Sequence, residues 1–133
     1  MSVSIRYPAR YARRSAVEGG SRRVCARFHA ESTRDGVHSH GIGLIPRFIE
    51  YVTKGWVDVN ASPESVHALG AIEVLDGRIG IGVINALHAT ERAIELAKEH
   101  GMRLVALCDT THAGSFALVY RAYHRRAQGW IFI

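Results

Sequence analysis

Residues 82–112, "GVINALHATERAIELAKEHGMRLVALCDTTH", decide the fold. Over 82–100 the apolar period is helical. Val83, Leu87, Thr90, Ile94 and Ala97 share one face, and His88, Glu91, Arg92, Glu95 and Glu99 share the other. Gly101 stops this helix, while Lys98 and His100 complement the negative end of its dipole. "MRLVALCD" then reads as a strand, apolar enough to be covered on both faces. The expected core of this unit is Val83, Leu87, Ile94 and Leu104. The strand opens into a loop carrying His112, and the loops at the carboxyl ends of parallel strands are where α/β proteins hold ligands.

Working outward, "GRIGIGVIN" enters the helix through glycines but lacks both the G-x-G-x-x-G spacing and the Lys-Ser/Thr ending of a phosphate loop. It reads as a helix entry packed closely on a strand. "VHALGAIEVLDG" (66–77) predicts one or two short strands with Asp76-Gly77 as a turn. "WVDVNASPES" is a loop, with Asn60 and Pro63 as its turn chemistry. "LIPRFIEYVTKG" (44–55) predicts a helix with Pro46 in its first turn and Gly55 at its stop. Leu44, Ile45, Phe48, Ile49 and Val52 form its stripe, and Arg47, Glu50 and Lys54 face away. Ser21 suits an N-cap for a helix of about a dozen residues presenting Val24, Cys25 and Phe28. Downstream, a helix is expected over residues 115–127 and a strand at "GWIFI" (129–133), parallel to its predecessor. The order of helices and strands argues an α/β fold.

Length and composition narrow the class. A chain of 133 residues is one domain or a piece of a larger one. Its 47% hydrophobic and 22% charged content is that of a globular protein, and no apolar run reaches membrane-spanning length. The N-terminus is basic without the apolar stretch of a signal peptide, so a cytoplasmic address is expected. Cys25 and Cys108 are too few for a disulfide framework and read as reduced, buried thiols. Arg6, Arg10, Arg13, Arg14, Arg22, Arg23 and Arg27 crowd the beginning against the single acid Glu18. That arm admits a nucleic-acid partner, but no recognised nucleic-acid motif follows it, and a solvated terminus is the preferred reading.

"DGVHSHG" (35–41) holds two histidines one residue apart. In an extended segment His38 and His40 point to the same side; in a helix they diverge. A metal would need further ligands, from Asp35, His29 or His112, which nothing in the spacing demands. One imidazole on a glycine-flanked turn suffices for proton transfer near neutral pH, and His112 offers a second. The residues alone stop at an α/β domain with a candidate acid–base histidine.

Four blocks carry a resemblance: "ESTRDGVHSHGIGLIPRFIEYVTKG", "LGAIEVLDGRIGIG", "ATERAIELAKEHGMRLVALCDTTH" and "QGWIFI". Together they resemble the N-terminal part of the malate/L-lactate dehydrogenase-type reductases, a group unrelated in fold to the Rossmann lactate dehydrogenases. Asp-Gly-Val-x-Ser-His-Gly with Pro-Arg-Phe-Ile is similar to its 2,3-diketo-L-gulonate reductase branch. The resemblance implies an incomplete, non-Rossmann α/β fold with helices packed on a short sheet. Residues 1–20 are expected as a basic, poorly ordered arm, and 21–133 as the N-terminal segment of the oxidoreductase domain, stopping before the cofactor-binding region.

The chemistry implied is reduction of a 2-oxo acid, or oxidation of a 2-hydroxy acid, with NAD or NADP. His40 is then the proton donor and His112 a second active-site residue that orients or polarises the substrate. Ser39 and Arg47 are the expected substrate contacts, since Leu44 stands where the family typically has a carboxylate-binding arginine. No cofactor or metal residue is assigned. A homodimer is implied, and so is inactivity of a chain lacking the cofactor region. The alternative is a non-catalytic remnant acting as an oligomerisation partner, with a basic nucleic-acid binder third. Trp130 to Ile133 at a sheet edge would favour self-association.

Overall fold

The computed structural model describes residues 19–113. The first expected arm residues (1–18), the 115–127 helix and the "GWIFI" strand lie outside the described residues.

Helix α1 spans Gly19–Arg34. Ser21 lies inside it rather than capping it, so the helix is longer than expected and takes in Gly19 and Gly20 from the expected arm. Val24, Cys25, Phe28 and Ser32 recur at helical spacing, and Phe28 and Ser32 are buried. Past Gly36, His38–His40 and Ile42–Leu44 form two short 3-10 turns. Of the two geometries open to the sequence, His38 and His40 therefore take the diverging one, and His38 is exposed. Helix α2, Ile45–Thr53, has Pro46 in its first turn as expected. Lys54 pairs with Glu50 at 2.6 Å on its solvent side.

Strands β1 (Glu64–Leu69) and β2 (Ile72–Gly80) form an antiparallel hairpin turning at Gly70-Ala71. Asp76-Gly77 is not the turn. Asp76 pairs with Glu64 on one side and Cys108 on the other. β2 alternated poorly as sequence because its inward row is Glu73, Leu75 and Gly77, two of them not hydrophobic. Helix α3, Gly82–His100, then returns the chain to β3, Leu104–Thr110, which lies parallel to β2. The sheet order is β1-β2-β3. The helix and the strand after it are those the 82–112 pattern predicts, while the parallel neighbour expected for that strand was residues 129–133 rather than β2.

α3 covers one face of β2 and β3. Val83 and Ile94 are buried, with Leu96 and Leu75, while His88 and Glu95 are exposed. Leu87 is half-buried. Leu104 is 59% exposed and corrects the expectation of a strand buried on both faces. β3 alternates instead, and Leu69, Ile72 and Leu104 line up across the three strands on the open face. Cys108 is likewise exposed. The larger core gathers Phe28, Val57, Ile81 and Val83, joined by Val24, Phe48, Tyr51 and Val52.

One ion pair ties α3 to the sheet. Glu73 is 4% exposed and meets Arg92 at 3.0 Å. Burial pushes its carboxyl upward, but hydrogen bonds from Ser65 and Arg92 and the charges of Arg92 and Arg103 outweigh that. The group is held below the usual carboxylate range. Among the described residues no helix is long and apolar enough to cross a membrane.

Candidate active site

The 3-10 turn at Val37–Gly41 is fixed from beneath by α1. Thr33 Oγ1 donates to the His29 carbonyl at 3.0 Å and accepts the Ile42 N–H at 2.9 Å. His29 Nδ1–H donates to the His40 carbonyl at 3.1 Å. His40 is thereby held by its backbone, and its Nδ1 lies 2.8 Å from Ser39 Oγ. Sequence reasoning considered His29 only as a metal ligand; its placing role comes from an i+11 contact that no local pattern announces.

His112 arrives from the other end of the fold. β2 bends after Asp76, where Arg78 and Ile79 take positive φ of 51° and 49° and Asp76 Oδ1 accepts the Arg78 N–H at 2.7 Å. The bend lets Gly80 pair with Thr110, two places beyond the Asp76–Cys108 pair. Thr111 then clasps the start of α3: its Oγ1 accepts the Gly82 N–H and donates to the Gly80 carbonyl, both at 2.8 Å. Gly82 is required here, because a Cβ would lie 2.1 Å from Thr111 O and 2.4 Å from His112 O.

The result is a contact between the two predicted histidines. Their ring centroids are 4.8 Å apart at an interplanar angle of 46°. Both line a cavity of about 420 Å³ that Arg47 also lines. Leu44, Arg47, Phe48 and Tyr51, spaced three, four and seven apart, present one face of α2 to it. Arg47 is exposed, as expected of the face away from the hydrophobic stripe, and still lines the cavity. Ser39 stays exposed, in contact with His40. Cys25 lines the wall, and burial pushes its thiol up to about 11, which keeps it protonated and unreactive.

The chain belongs to the malate/L-lactate dehydrogenase family. That family's description matches residues 10–133. A 2,3-diketo-L-gulonate reductase from Salmonella paratyphi B is 44% identical over 88 residues, 66% of this chain and 26% of that protein. The chain thus spans about a quarter of the length of the curated relatives it matches. Sulfolactate dehydrogenase from Methanocaldococcus jannaschii superposes with a TM-score of 0.74 at 27% identity, over 80% of this chain and 31% of that one. Δ1-piperideine-2-carboxylate reductase from Pseudomonas syringae pvar. tomato gives 0.68 at 27% identity, over 77% and 31%. The expected family and fold class are borne out.

A dehydrogenase family implies a nicotinamide cofactor, and the glycines at 77–82 are the sequence's nearest approach to a phosphate cradle. They do not fit one. Asn85, fully buried, fills the space: its Nδ2 donates to the Gly77 carbonyl at 2.9 Å and to Thr110 Oγ1 at 2.8 Å. A Cβ at Gly77 would lie 2.6 Å from that amide. The first α3 N–H is taken by Thr111, and that of Asn85 by Ile81. These glycines admit the protein's own backbone and side chains. No group of three or more His, Cys, Asp or Glu able to hold a metal is assembled among the described residues.

Proposed function

We propose that this chain supplies the proton-transfer and substrate-anchoring half of a 2-oxo-acid/2-hydroxy-acid oxidoreductase, as its relatives' names indicate for them. Reduction of a 2-oxo acid leaves an alkoxide oxygen that needs a proton. His40 gives it: Ser39 engages Nδ1, which leaves Nε2 for the substrate, and the neutral imidazole takes the proton back in the oxidative direction. His112, against the His40 ring, polarises the 2-oxo group. Arg47 binds the carboxylate, a role its planar guanidinium suits. The observation that carries this reading is the His40–His112 contact on a cavity shared with Arg47. No step is derived through a nicotinamide, because the described residues offer it no fitting cradle; NAD against NADP stays with the rest of a family protein. A cytoplasmic homodimer acting on a small-molecule acid goes with this assignment.

The test is imidazole NMR on the chain with oxamate, a 2-oxo-acid mimic. Saturable shifts of the His40 and His112 signals, lost in Arg47→Ala, are expected. Signals unmoved at millimolar oxamate would sink the assignment.

A further inference from the structure

We propose that the acid taken by this cavity carries an apolar substituent of aromatic size, rather than a second carboxylate. This deepens the 2-oxo-acid reading above and rests on it.

Among the described residues the cavity's polar side chains are His29, Ser32, His40, Arg47, Tyr51, Trp56, Thr111 and His112. Thr111 Oγ1 is committed, accepting from Gly82 and donating to Gly80, and His29 engages the His40 carbonyl through Nδ1. Ser32 is 2% exposed, at the floor. Arg47 is the one permanently charged side chain of this described lining, and with the two histidines it matches one carboxylate and one adjacent oxo group. A second carboxylate would need a second cation, and the described lining has only one arginine and no lysine.

Much of the remaining wall is hydrocarbon, from Phe28, Leu44, Phe48, Val57, Ile81 and Val83. Phe28, Val57, Ile81 and Val83 belong to the buried core, so this wall is rigid and preformed. Leu44, which caps α2, and Phe48, one turn on, flank Arg47, which places apolar surface beside the anchoring cation. A cavity of about 420 Å³ has room for an aryl ring beyond the acid head.

The experiment is isothermal titration calorimetry of the whole chain with phenylpyruvate, pyruvate and oxaloacetate. Phenylpyruvate is expected to bind about tenfold tighter than the other two, the gain that burying its ring supplies. Leu44→Arg, at the half-buried edge of the cavity, is expected to erase the preference over oxaloacetate; circular dichroism checks that the variant is folded. Should that variant not fold, Phe48→Leu, which keeps an apolar wall but shortens it, is expected to cut the preference over pyruvate. A phenylpyruvate advantage below about threefold in the wild-type chain overturns this inference alone, since 2-oxo acids would still bind. Binding of none of the three overturns it together with the 2-oxo-acid reading.

Discussion

Replacing Gly82 with alanine tests how the His112 loop is held. The added Cβ would stand 2.1 Å from Thr111 O and 2.4 Å from His112 O. Both are backbone atoms, so no side-chain rotamer relieves the clash. The loop must retreat by roughly 1 Å to reach ordinary contact distance. Overpacking of this kind costs about 1–3 kcal/mol. Losing the Gly82 N–H to Thr111 bond adds about 0.5–1.5 kcal/mol, and the better helix propensity of alanine returns at most about 1 kcal/mol. The net expectation is a loss of about 1–3 kcal/mol. In urea that lowers the unfolding midpoint by about 1 M for a small domain. Because the loop carries His112 against His40, oxamate should bind more weakly as well. An unchanged midpoint together with unchanged oxamate affinity would refute the clasp between α3 and the loop.

Leu75→Ala, at a site 2% exposed under α3, should cost about 2–5 kcal/mol, and the half-buried Leu87→Ala clearly less; denaturant titration ranks them. Glu73 should make the fold acid-sensitive. Its folded pKa lies below the ordinary value, so its stabilisation is present above the unfolded pKa of about 4.3 and is lost as pH falls through the folded one. Thermal melts from pH 6 to about 3 should show a slope that Glu73→Gln reduces; equal slopes would mean the carboxyl is not held by Arg92 and Ser65. Steady-state assays of the chain with NADH or NADPH and 2-oxo acids should give no turnover above a blank. His40-dependent oxidation of either nucleotide would show that a cradle exists after all.

The helix at 82–100 was legible because its two faces differ in chemistry, and exposed His88 and Glu95 confirm the phase. The following strand was misjudged for the opposite reason. An apolar run such as "LVAL" does not say whether one face or both are covered, and among the described residues only α3 packs on this sheet. Glu73 and Asn85 were invisible as interior residues, since what permits their burial is Arg92 in one case and Gly77 with Thr110 in the other. The family blocks and the glycine-flanked turn singled out His40 and His112, yet their contact depends on a β2 bend no period predicts. Arg47 is exposed on the face away from the stripe, as its helical phase predicts, and its place in the cavity lining was legible only through the family resemblance.

The pair at the centre of the site is separated by more than half the described chain, and this has a kinetic consequence. Bringing His40 and His112 together closes a loop of some seventy residues, an entropic cost about 2.5 kcal/mol greater than that of a four-residue turn. Nothing near either histidine repays it. The favourable partner is the parallel β2–β3 ladder, itself a non-local pairing that forms slowly. The imidazole pair should therefore come into existence in the same cooperative event that zips β3 onto β2. Hydrogen exchange at the Gly82 amide should then report the opening free energy of that ladder, and a half-folded chain would carry two solitary histidines with no cavity between them.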